Sequence, residues 1–117
     1  AGEILITSVD NEGTGKGFDI ELSKNISNAI SIPVIAHGGA GKLNHISEVF
    51  ANAKVESVAI ASMLHYDFVS VLQSNMNNKT EGNISYLRSG RSTFGKIEPN
   101  SIQKIKLHLR EQKINCR

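Results

Sequence analysis

Short apolar runs and helically spaced apolar residues alternate along the first 66 residues. The runs predict buried strands at Glu3–Ser8, Pro33–Ala36 and Ser57–Ala61. The spacing predicts one helix behind Asp19 as N-cap and another behind Asn44. Their apolar stripes are Leu22, Ile26, Ala29 and Ile30 in the first, and Ile46, Val49, Phe50 and Ala53 in the second. Strands and helices alternating at this interval are typical of βαβ units and a parallel sheet.

The pattern loosens after Asp67. A short helix is predicted to about Leu72, within a segment 67–100 that is rich in Asn, Ser, Gly and Lys and predicts an irregular insertion. Helical spacing then returns behind Ser101 as N-cap, so residues 101–117 are predicted to form a terminal helix and tail of the same domain. Three βα units make either a small open sheet or about three eighths of an eight-stranded parallel barrel.

Composition narrows the class of protein. The chain has 117 residues, 39% hydrophobic and 21% charged, which is typical of a folded domain. No apolar run approaches the roughly 20 residues that span a bilayer, so we expect no membrane association. The single cysteine, Cys116, forms no internal disulfide and favours a reducing, cytoplasmic location.

Charge is uneven along the chain. Residues 1–78 carry 4 basic and 8 acidic side chains, a net −4, and residues 79–117 carry 9 and 3, a net +6. The basic part lacks interleaved aromatic residues, so we expect no nucleic-acid partner. Four scattered histidines and one cysteine have no metal-ligand spacing, so the residues predict neither a metal site nor a cofactor.

Polar residues gather where the first strand ends. Alternation places Glu3, Leu5 and Thr7 on one face, which in a barrel is the interior, with Glu3 at the bottom and Thr7 at the mouth. Asp10 and Glu12 follow, and paired carboxylates can divide acid and base roles. The alternative at this point is a solvated acidic turn.

Small residues follow the other two strands. Gly38, Gly39 and Gly41 come after the second strand, where backbone amides can approach an anion, although a tight turn explains them equally well. Ala61 and Ser62 come after the third strand and open a helix. In barrels, the loops after the last two strands commonly build one phosphate site.

Together these residues resemble the cyclase subunit of imidazole glycerol phosphate synthases, from histidine biosynthesis. The resemblance is close over residues 1–66 and loose over 101–117. The motifs that carry it are AGEILITSVD at 1–10, Gly13-Thr14, Gly17-Phe18-Asp19, PVIA at 33–36, GGAGK at 38–42, Ala61-Ser62 and Leu64-His65. It implies a (βα)8 barrel in which this chain supplies strands six to eight.

The resemblance also implies a reaction and a partner. Such a cyclase uses ammonia from a glutaminase subunit to form imidazole glycerol phosphate and an aminoimidazole carboxamide ribotide. By this resemblance Gly38, Gly39, Ala61 and Ser62 bind a substrate phosphate. Thr7 and Gly13 bind the substrate beside it, Glu12 is the catalytic candidate, and Glu3 lies at the ammonia entrance.

Two residues depart from the family. Glu12 stands where an aspartate is frequent, and His37 stands where a serine is usual. The family's two principal catalytic aspartates lie on earlier barrel strands, which the chain would need as partners. Two alternatives therefore stay open. One is a paralogous ammonia-dependent enzyme that acts on a sugar in surface-polysaccharide synthesis, and the other is a non-catalytic phosphate-binding piece of a barrel.

Overall fold

A computed structural model describes residues 1–75 and 95–117 of the chain. Within these ranges, three strands and four helices alternate as the sequence predicts. The strands are β1 (Ile4–Thr7), β2 (Val34–His37) and β3 (Ser57–Ala59), and the helices are α1 (Ile20–Ala29), α2 (Leu43–Ala53), α3 (Ser62–Asn75) and α4 (Ile102–Glu111).

The three strands form one parallel sheet in the order β1-β2-β3. Thr7 pairs with His37, and His37 pairs with Ala59, so these three residues lie side by side at the carboxyl edge of the sheet. The predicted parallel βα units are therefore confirmed. They are consistent with part of a (βα)8 barrel, and the chain segment after every strand begins at the same edge.

The core lies between one face of the sheet and the helices. Ile6, Val34 and Ala36 from the sheet pack with the stripes of α2 and α4. The buried residues of those two stripes are Ile46, Val49 and Ala53 in α2, and Ile105 and Leu109 in α4. Burying each large aliphatic side chain contributes about 1.5 to 3 kcal/mol, so this cluster holds the helices against the sheet.

The two faces of β1 differ in exposure. Ile6 and Ser8 are 8% and 5% exposed, whereas Leu5 on the opposite face is 56% exposed. As predicted, one face of the strand therefore carries Glu3, Leu5 and Thr7, and the other carries Ile4, Ile6 and Ser8. The face predicted to point into a barrel is uncovered within the described part of the chain.

Two of the three predicted helix caps are confirmed. The Leu22 amide donates to Asp19 Oδ1 over 2.9 Å, and the Lys104 amide donates to Ser101 Oγ over 3.3 Å. The prediction of Asn44 is wrong, because α2 begins two residues earlier, at Leu43, with Lys42 as its N-cap. Lys42 has the extended backbone of an N-cap residue, but its side chain makes no capping hydrogen bond, so Asn44 already lies inside the first turn of the helix.

The boundary predicted at residues 66 and 67 falls inside α3, which continues to Asn75 rather than ending near Leu72. Residues 76–94 of the predicted insertion lie outside the described residues. Residues 95–100, here called the strap, form no helix or strand but are anchored to the domain. The Glu98 amide donates to the Gly41 carbonyl over 2.7 Å, and the Asn100 amide donates to the Met63 carbonyl over 3.2 Å.

Candidate phosphate-binding site

The loops that follow the three strands meet around a cavity of about 110 Å³ at the carboxyl edge of the sheet. Six of the site residues predicted from the sequence line it together: Glu12, Gly13, Gly38, Gly39, Ala61 and Ser62. They come from the chain segments after β1, β2 and β3 in turn. The parallel topology thus brings together residues that are far apart in the sequence.

Thr7 contacts a residue that lines the cavity. It is not a lining residue, but its Oγ1 lies 3.1 Å from Nδ1 of His37, which does line the cavity. The two residues are register partners in the sheet, so the strand pairing itself sets this contact. Both side chains are half-buried.

Glycine is required in the β2–α2 loop by close backbone packing. Gly38 has a φ of +97° and Gly39 a φ of +96°, a region that side chains other than glycine rarely adopt. A Cβ on Gly38 would lie 2.9 Å from the Ser8 carbonyl oxygen, and one on Gly39 would overlap the Gly17 carbonyl oxygen. The two glycines therefore let the loops after β1 and β2 pack directly on each other.

Backbone donors are available at this cavity. No carbonyl of the described residues accepts a hydrogen bond from the Gly38 or Gly39 amide. The amides of Ser62 and Met63 open α3, and amides in the first turn of a helix have no acceptor within that helix. A 14-residue helix also presents the positive end of its dipole there, so the cavity suits an anion.

Charged side chains are few at the cavity. Glu12 supplies a carboxylate and His37 an imidazole, and no lysine or arginine of the described ranges lines it. Basic residues lie instead on the other side of Ile97, in a cleft of about 540 Å³. That cleft is lined by Gly15, Lys16, Lys42, His45, Gly95, Lys96, Ile97 and Glu98.

The remaining sequence candidates lie away from the cavity. Asp10 is exposed and is not a lining residue, so the structure does not bring it to the cavity beside Glu12. Glu3 precedes β1 and is exposed at the opposite end of that strand. Its role at an ammonia entrance stays a prediction.

Sequence reasoning missed one wall of the cavity. Ile97 of the strap lines it and is only 8% exposed, yet it falls in the segment predicted to be an irregular insertion. Its sole sequence signal is an isolated apolar residue just before Pro99 and the α4 cap.

Among the residues the structure describes, no group of three or more His, Cys, Asp or Glu side chains is placed to hold a metal ion. The same residues include no helix that is both long and apolar enough for a membrane span.

Known proteins match the chain across all three strands. A family model described as "Histidine biosynthesis protein" matches residues 1–70. Imidazole glycerol phosphate synthase subunit HisF of Clostridium botulinum (strain Okra / Type B1) is 44% identical over 82 residues, which are 70% of this chain and 32% of that subunit. The same subunit of Geobacillus thermodenitrificans is 51% identical over 73 residues, 62% of this chain and 29% of the subunit.

A third relative gives the same picture. Subunit HisF of Geobacillus kaustophilus is 48% identical over 82 residues, 70% of this chain and 32% of the subunit. The chain spans about a third of the length of these curated relatives. The chain thus belongs to the histidine biosynthesis protein family and is a homologue of subunit HisF over that third.

Proposed function

We propose that this chain forms the part of an imidazole glycerol phosphate synthase cyclase that holds one phosphate group of the substrate. The observation that carries the proposal is the cavity at the carboxyl edge of three parallel strands, lined by glycine backbone and by the start of α3. This is the position at which parallel barrels place their phosphate sites. The homology to subunit HisF supports the same assignment.

Each lining group has a role in this proposal. The amides of Gly38, Gly39 and Ser62 donate to the phosphate oxygens, and the Ser62 hydroxyl adds a side-chain donor. Glu12, on the wall formed by the β1–α1 loop, accepts a hydrogen bond from a substrate hydroxyl and serves as an acid or base. Gly13, beside it, leaves the backbone accessible to the ligand because no side chain fills that space.

Other parts of the reaction lie beyond this cavity. The further barrel strands would supply the two principal catalytic aspartates and would cover the exposed Leu5 face of the sheet. A glutaminase partner would deliver ammonia at the end of β1 where Glu3 lies, opposite to the phosphate. In this proposal the protein works in the cytoplasm, where Cys116 remains reduced.

Two lining residues favour a second candidate. Glu12 and His37 differ from the residues usual in the cyclases that the chain resembles, and both line the cavity. A paralogue that delivers ammonia to a different phosphorylated sugar, as in surface-polysaccharide synthesis, would change such residues. The phosphate site is common to both candidates, so only the substrate distinguishes them.

A turnover assay of the full-length protein, with ammonium salts and the bis-phosphorylated ribulosyl substrate of the histidine pathway, tests the proposal. The expected result is formation of imidazole glycerol phosphate. Ser62→Ala should raise KM by roughly tenfold, because it removes a hydrogen bond to a charged ligand. Ser70→Ala is the matched control on the same helix, since Ser70 is exposed and does not line the cavity.

The outcomes separate the candidates. No product with this substrate, but turnover of another phosphorylated sugar, would favour the paralogue. Phosphate binding without turnover of either substrate would indicate that the protein binds phosphate but does not catalyse a reaction. Equal KM values for the Ser62 and Ser70 variants would contradict the assignment of the cavity.

A further inference from the structure

We propose that His37 is itself a ligand of the bound phosphate monoester, through Nε2, and that Thr7 is the residue that positions its ring. This inference rests on the proposed phosphate site and adds to it a side chain that can carry a positive charge, which the backbone amides and the Ser62 hydroxyl cannot.

The sheet fixes where the imidazole lies. His37 is the last residue of β2, Thr7 is the last residue of β1, and the two are register partners. Because Nδ1 of His37 is occupied by Thr7 Oγ1 at 3.1 Å, Nε2 is the ring nitrogen left for a ligand. His37 lines the same cavity as the glycine loop and Ser62.

The Thr7 hydroxyl adapts to either protonation state of the ring. A hydroxyl can donate or accept, so it can donate to Nδ1 of a neutral ring that carries its hydrogen on Nε2. When the ring is protonated, both nitrogens donate, and Thr7 accepts from Nδ1. In both states Nε2–H can donate to a phosphate oxygen, and the charged state gives the stronger hydrogen bond.

The other elements around the cavity supply no cationic side chain among the described residues that line it. The β1–α1 loop contributes the Glu12 carboxylate, which opposes an anion, and β3 with the start of α3 contributes only Ala59, Ile60, Ala61 and Ser62. The strap contributes the apolar Ile97, while its Lys96 and Glu98 line the neighbouring cleft. Of the described residues lining the cavity, His37 alone has a side chain that can be positively charged. An imidazolium offsets the carboxylate and adds a donor to the neutral backbone amides.

Calorimetric titration of the full-length protein with sulfate tests this role. Sulfate keeps its two charges between about pH 5.5 and 8, so any pH dependence of its binding in that range comes from the protein. The wild-type protein should bind sulfate more tightly as the pH falls. His37→Ser should bind roughly tenfold more weakly at the low end of the range and should lose most of the pH dependence.

Four further variants separate the ligand role from a structural one. His37→Gln keeps a neutral donor and should bind without the pH dependence. Thr7→Val should weaken binding several-fold because the ring loses its anchor, and Thr7→Ser should restore it. His65→Ser is the matched histidine control, since His65 is exposed and outside the cavity, and its sulfate affinity should equal that of the wild type.

Each result decides a different point. Sulfate binding that is equally strong and equally pH-dependent in His37→Ser would overturn the role of His37 while leaving the phosphate site intact. Thr7→Val with wild-type affinity would overturn the positioning role of Thr7. Failure of the wild-type protein to bind either sulfate or inorganic phosphate would contradict the proposed site itself, and the role of His37 with it.

Discussion

The amide of Gly17 donates a hydrogen bond to the carbonyl of Gly39 over 2.8 Å, and this bond joins the loop after β1 to the loop after β2. The Asn11 side chain adds a second contact, because its Nδ2 donates to the Gly17 carbonyl over 3.1 Å. Two glycine-containing loops thereby become one wall of the cavity. The stability of this wall and the shape of the proposed phosphate site therefore depend on the same atoms.

Replacement of Gly39 by alanine should therefore destabilise the protein. The new Cβ would overlap the Gly17 carbonyl oxygen and would also impose a φ of +96° on an alanine. We expect a loss of about 2 kcal/mol or more in the free energy of unfolding. Urea unfolding of the full-length protein measures it.

Gly13→Ala is the matched control for that substitution. Gly13 also has a positive φ, +72°, but a Cβ there meets nothing within 4 Å. Only the conformational cost of about 1 kcal/mol remains. Equal losses in the two variants would show that loop packing at Gly39 is not what requires glycine.

Ile97→Ala should loosen the strap. This side chain is 8% exposed and lies between the cavity and Gly15, so its truncation leaves a void. We expect a loss of about 2 to 4 kcal/mol in unfolding free energy and weaker phosphate binding, whereas Ile97→Val should cost about 1 kcal/mol. Urea unfolding and phosphate titration measure the two effects. Unchanged values in both would mean that the strap does not pack as described.

Loss of the α1 cap should have a smaller effect. Asp19→Ala removes the acceptor of the Leu22 amide and should cost about 1 kcal/mol of unfolding free energy. Asp19→Asn retains a capping oxygen, and its stability should lie close to that of the wild type. Thermal melts of the two variants give the comparison, and an equally large loss in both would argue against the capping role.

The 117-residue chain on its own should self-associate. Both outer strands, β1 and β3, have an edge unpaired within the described residues, and Leu5 exposes an apolar side chain on the uncovered face. Unpaired strand edges favour pairing between chains. Sedimentation velocity should show oligomers that Leu5→Lys reduces. A monomer with a sharp melting transition would contradict this prediction.

Local chemistry in the sequence was enough to predict most of the elements. Asp19 and Ser101 were correctly identified as caps. A capping side-chain oxygen accepts a hydrogen bond from an amide only three residues along the chain, so local sequence is enough to predict it. Asn44 was misjudged because α2 begins behind Lys42, whose side chain makes no capping hydrogen bond, so no capping residue in the sequence marks the start of this helix.

Most residues of the candidate site were predictable from the sequence, but the packing that holds them together was not. The small residues after β2 and β3 were nominated correctly as neighbours because parallel strands present their carboxyl ends at one edge. The packing of Gly39 on Gly17 was not predictable, because it depends on the approach of two loops distant in sequence. Ile97 was missed for the same reason.

The most direct test of the account is the location of a bound phosphate. A crystal structure of the full-length protein soaked with a sugar phosphate should show the phosphate group in the cavity between Gly38, Gly39 and Ser62, with His37 Nε2 within hydrogen-bond distance. An empty cavity, with the phosphate in the lysine-lined cleft beyond Ile97, would contradict the central claim.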